Sequence, residues 1–146
     1  MTEQEGRAEV IRVAHEWSGT PWVHMGRVKG PNGAVDCAQL VYCVYAEAGQ
    51  IDPSLYAKVE WYPKDWFLHR NEDRPLEIVQ KFAHETETPK PGDMALWKYG
   101  RTFSHAAIVL DWPDIIHADV EAGRVLLARG DGGRLASKSP KFFTRW

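Results

Sequence analysis

Val35-Asp36-Cys37-Ala38-Gln39-Leu40-Val41-Tyr42-Cys43-Val44-Tyr45-Ala46 is the stretch whose reading decides the fold. Asp36 is a strong N-cap residue, because its carboxylate can accept hydrogen bonds from the free N–H groups of a first helical turn. The run behind it is apolar all round, the pattern of a helix buried on most sides. Gly49 follows as a C-cap. The spacing therefore predicts a buried helix over residues 37–48 with Cys37 in its first turn. The positive end of the helix dipole favours thiolate over thiol at that place. The charge of Asp36 acts in the opposite sense. The expectation is that the dipole and a histidine partner prevail and leave Cys37 a nucleophile.

Working outward, Val10, Ile11, Ala14 and Trp17 recur at helical spacing, so residues 3–17 read as an amphipathic helix ended by Ser18-Gly19-Thr20-Pro21. Residues 22–35 form a loop with Gly26, Gly30 and Gly33, and Pro31-Asn32-Gly33 is a turn signal. Residues 50–71 have no period but hold Tyr56, Trp61, Tyr62, Trp66 and Phe67, either satellite core or one wall of a groove. Residues 72–86 read as a helix with Pro75 in its first turn. From Met94 onward the pattern changes to short β runs: Met94 to Trp97, His105 to Leu110, Ile115 to Ala118 and Val125 to Arg129. Helices first and strands later predict one α+β domain over residues 1–146. In it, an antiparallel sheet packs against the cysteine helix.

Composition narrows the function. The chain has 146 residues, with 18 basic against 20 acidic side chains. No basic block stands out, which argues against a nucleic-acid partner. The first residues are polar and acidic, no apolar signal region follows, and no stretch is long enough to span a membrane. The expectation is a chain made in the cytoplasm without a secretory signal or membrane association; an extracellular substrate would have to be reached by another route. No cofactor motif is present. Cys37 and Cys43 sit six residues apart, about 9 Å along one helix, too far for a disulfide.

A thiol nucleophile needs a base, and the base needs a group to orient it. Two of the six histidines lie in β runs, His105 and His117. Side chains alternate across a strand, so the two rings share a face only if the hairpin between them has matching parity. Direct opposition centres the turn on Asp111; a four-residue loop over Asp111 to Asp114 would put the rings on opposite faces. His24 lies in the loop near the expected cleft. His15, His69 and His84 sit in polar surroundings and read as solvated, and Cys43 reads as core packing. Zinc held by Cys37, His105 and His117 is a rival reading, but no CxxC or HExxH spacing supports it, and the expectation is no metal.

These residues together resemble the NlpC/P60 cell-wall peptidases. The resemblance is carried by Gly19-Thr20-Pro21-Trp22-Val23-His24, Asp36-Cys37, Leu40-Val41, Gly49, Pro91-Gly92-Asp93, Ser104-His105 and Ile116-His117-Ala118, over residues 10 to 130. The order Cys, His, His and the 12-residue interval between the histidines are its specific parts. The longer Arg27-Val28-Lys29-Gly30 loop is similar to the phage-tail and prophage branch. The resemblance implies a papain-like fold with Cys37 as nucleophile, His105 as base and His117 as orienting group; Trp22, His24, Asp36 and Ser104 are the expected substrate contacts. It implies hydrolysis of amide bonds in peptidoglycan stem peptides, often between γ-D-glutamyl and the diamino acid, with phage-tail-like particle proteins as partners. A non-catalytic tail or wall-binding module is the alternative. Two departures favour it: common members read Asp-Cys-Ser-Gly where this chain has Asp36-Cys37-Ala38-Gln39, and carry tyrosine where Trp22 stands. That change leaves the Cys37 backbone N–H and another donor to hold an oxyanion.

Overall fold

The computed structural model describes residues 1–57, 76, 79–99 and 102–146. The first helix, α1, spans Glu3–Glu16. Thr2 and Glu5 close a capping box at its start, so two free N–H groups are satisfied reciprocally. Gly6, Val10, Val13 and Ala14 form its buried face. A short hairpin follows, β1 at Arg27–Val28 and β2 at Ala34–Val35, closed by the Gly33 N–H to Gly30 carbonyl bond. The stretch expected as loop is thus partly paired.

The cysteine helix, α2, spans Cys37–Glu47. Asp36 is its N-cap and accepts the Gln39 N–H at 2.9 Å. At the far end Gly49 takes a φ of 73°, with its N–H on the Ala46 carbonyl and the Gln50 N–H on that of Tyr45. This is a Schellman closure, and the left-handed conformation at its centre favours glycine. A single helical turn at Ser54–Ala57 follows.

Six strands make one antiparallel sheet. They are β3 (His84–Thr86), β4 (Met94–Tyr99), β5 (Thr102–Asp111), β6 (Asp114–Asp119), β7 (Arg124–Arg129) and β8 (Lys141–Thr144), in the order β3-β8-β4-β5-β6-β7. The two helices pack on one face. Val10, Trp17, Leu40, Val41, Val44 and Tyr45 meet Met94, Leu96, Ala106, Ile108 and Ile116 there. A smaller cluster of Ala95, Trp97, Ala107, Val109, Ile115 and Leu135 covers the other face. This is the α+β architecture expected from the sequence.

Residues 84–86 correct the expected helix over 72–86. They are extended and pair with β8, His84 opposite Thr144 and Thr86 opposite Phe142. Helical hydrogen bonds end at Ala83, whose N–H reaches the Val79 carbonyl. The strand forms because β8 supplies a partner from 60 residues away in sequence, a contact no local pattern encodes. The rest of that expected helix, save Leu76 and Val79 to Ala83, lies outside the described residues, as do Trp61, Tyr62, Trp66, Phe67 and His69.

Candidate active site

Two irregularities in the sheet shape the site. In the β4–β5 pair, Trp97 faces His105 but Lys98 faces Phe103, so Ser104 is an extra residue. Such a bulge bends the strand and re-aims the side chains beside it. In the β5–β6 pair, Ile108 faces Ile116, Val109 faces Ile115, and Asp111 faces Asp114, so Leu110 is extra. The register before that bulge puts His117 one diagonal step from His105 on the same face. Diagonal neighbours lie within reach of ring side chains. His105 Nε2 and His117 Nδ1 stand 2.7 Å apart, a hydrogen bond between rings 79° to one another. Trp97 and Tyr99 flank His105, with centroids at 5.5 and 6.1 Å.

Cys37 arrives from the other side. Its thiol donates to the Ser104 carbonyl at 3.4 Å. The Ala106 N–H turns toward the same sulfur, as do the N–H groups of Cys37 and Ala38 at the start of α2. The sulfur therefore lies against the two peptide groups on either side of His105. Both cysteines are free, as their spacing requires.

The electrostatics differ from the sequence expectation. Burial first and the charge of Asp36 second push the Cys37 thiol up to about 12, against the backbone N–H groups that favour thiolate. Burial, with help from the charges of His117 and Arg134, pulls His105 down to about 3. His117 is also lowered by burial, opposed by Asp119. The resting site thus holds a neutral thiol and neutral imidazoles. Three backbone N–H dipoles do not outweigh the loss of water around a sulfur packed against β5.

The other expected site residues divide. Asp36 is buried and spends both oxygens on backbone, one on the Gln39 N–H and one on the Met25 N–H at 2.8 Å. That second bond holds Met25 at a positive φ of 63°. His24 Nδ1 stands 3.8 Å from Asp36, so it is carried close to the start of α2. Trp22 packs partly buried against the main core and bridges Val35. Ser104 contributes its carbonyl to Cys37. Behind His117 lies a cleft of about 380 Å³ lined by Asp119, Glu121, Arg129 and Arg134. Arg134 binds Asp119 at 2.6 Å and Glu121 at 3.3 Å. Sequence reasoning missed this pair, although Asp119 shares the face of His117 by strand parity alone. Among the described residues no three His, Cys, Asp or Glu side chains form a group that could hold a metal ion, and no helix is long and apolar enough to cross a membrane.

A family model described as the NlpC/P60 family matches residues 19–137. The chain belongs to the NlpC/P60 family. Solved NlpC/P60 structures share its fold. The NlpC/p60 domain of the peptidoglycan hydrolase SagA is 19% identical, with 92% of this chain and 96% of that one covered and a TM-score of 0.58. The peptidoglycan hydrolase RipB from Mycobacterium tuberculosis is also 19% identical, at a TM-score of 0.61; 97% of this chain is covered but only 65% of that one. RipD of the same organism, described as a non-catalytic NlpC/p60 domain protein adapted to peptidoglycan binding, is 15% identical over 95% of this chain and 96% of that one, at a TM-score of 0.58. No curated protein matches the chain.

Proposed function

We propose that this NlpC/P60 domain is a cysteine hydrolase of peptidoglycan stem peptides, with Cys37 as nucleophile, His105 as base and His117 as orienting group. The observation that carries the reading is the 2.7 Å bond between His105 Nε2 and His117 Nδ1 beside a thiol that touches the residue next to His105. When His105 Nε2–H donates to His117 Nδ1, the lone pair of His105 Nδ1 is free to take a proton. For turnover the thiol leaves the Ser104 carbonyl and turns to that nitrogen; its proton moves there, and the sulfur attacks the scissile carbonyl carbon. The oxyanion rests on the N–H groups at the start of α2. Collapse breaks the C–N bond, His105 returns the proton to the leaving amine, and water hydrolyses the thioester. Neither ion is stable alone in this buried site, so thiolate and imidazolium form together.

The same electrostatics favour a second reading, a wall-binding module without turnover. A thiol near 12 beside a histidine near 3 is a poor resting pair for catalysis, and RipD shows that a related fold can be non-catalytic by its own description. Turnover separates the two. A tetrapeptide with a γ-D-glutamyl–diamino acid bond is compared with an ordinary L-peptide of equal length, using folded, reduced protein. The hydrolase reading expects the first to be cut and the second spared. Cleavage of neither leaves the binding module, and preference for the L-peptide contradicts the substrate class.

A further inference from the structure

The sheet face that carries His105 ends in a corner that the steps above leave unused. Tyr99 and Thr102 are direct partners across β4 and β5, at the tip of the hairpin. The Tyr99 ring meets His105 edge-on at 6.1 Å. Among the described residues the buried hydroxyls of Tyr99 and Thr102 have no hydrogen-bond partner. A buried hydroxyl without a partner is costly, and most buried polar groups in native structures have one. Lys138 Nζ stands 4.5 Å over the centre of the Tyr99 ring. Arg134, one turn earlier, is already held by Asp119 and Glu121. Lys138 forms no ion pair among the described residues and can there take an anion. The charges of Arg134, Asp119, Cys37 and Glu121 all bear on the Tyr99 hydroxyl. Burial raises Tyr99 above the usual phenol range, so its hydroxyl remains a donor.

We propose that Tyr99 and Lys138 form a carboxylate-binding subsite for the leaving-amine half of the substrate. The inference rests on the hydrolytic reading of the same site. His105 gives its proton to the leaving amine, so that half of the substrate passes beside His105, where Tyr99 stacks. A carboxylate can take the ammonium charge of Lys138 and the directed O–H of Tyr99 together. The substrate class that fits is an amide whose leaving half is an amino acid with a free carboxylate near the new amine. One that is capped there as a carboxamide does not fit.

The test reads binding and turnover separately. A peptide with a γ-D-glutamyl–diamino acid bond and a free carboxylate on the diamino acid is titrated by calorimetry against its carboxamide twin, using Cys37→Ala protein. The carboxylate form is expected to bind about tenfold tighter, the worth of one charge-assisted hydrogen bond. Lys138→Met and Tyr99→Phe, placed in the same background, should each remove most of that preference; Tyr99→Phe keeps the ring on His105 and so leaves the packing intact. Equal affinity for the two peptides, binding of neither, or a preference that survives both substitutions in folded protein overturns the subsite. If the preference is present but Cys37-intact protein turns over neither peptide, the subsite stands and the hydrolase reading fails.

Discussion

His105 exchanges water for Trp97, Tyr99 and His117, and that exchange has a thermodynamic signature. Its folded-state value near 3 lies below the ordinary 6.5. The unfolded chain therefore binds the proton more readily, and stability rises with pH wherever that difference exists. Between about pH 3 and 6.5 each step down in pH favours the unfolded state; above 6.5 the effect is absent. His117 is shifted in the same direction. The urea midpoint should thus fall from pH 7 to pH 4 in the wild type and fall less in His105→Gln. Equal pH dependence in the two proteins would show that His105 is not held neutral. That the two rings could share a face was legible from strand parity, whereas the roles proposed for them come from the family resemblance. The neutral state of Cys37 was not legible, because a sequence shows the helix dipole but not the strand that crowds the sulfur.

Helix α2 shows what local chemistry encodes. Asp36 and Gly49 mark its ends in sequence, and both do so in the fold. The residues of β5 and β6 were also legible, but their bulges were not: Ser104 and Leu110 are ordinary strand residues whose displacement follows from pairing. Strands β3 and β8 escaped notice because each is short and finds its partner far along the chain. Asp36 itself links cap to chemistry. Asp36→Asn keeps an oxygen for the Gln39 N–H but removes the charge that raises the Cys37 thiol. Its thiol should titrate lower than in the wild type, read by ultraviolet thiolate absorbance against pH. Asp36→Ala should in addition lose about 1 kcal/mol of stability with the cap. A thiol that titrates unchanged in Asp36→Asn would contradict the assignment of that charge.

The whole molecule brings a helix start, a strand bulge and a hairpin together at one end of a six-stranded sheet. Helices α1 and α2 fill one face with the main core, the smaller cluster covers the other, and Trp97 of that cluster flanks His105. Helix α2 carries its first residue to the β5 backbone on either side of His105, the residue proposed as base. Family membership fixes the fold, and the central claim is that Cys37 acts on the wall. The most direct measurement is digestion of purified peptidoglycan by wild-type and Cys37→Ala protein, both reduced and shown to be folded, with the products read by mass spectrometry. The wild type should release stem-peptide fragments carrying one new amine and one new carboxylate each, and Cys37→Ala should release none. No fragments from the wild type, or the same fragments from both proteins, would contradict the account.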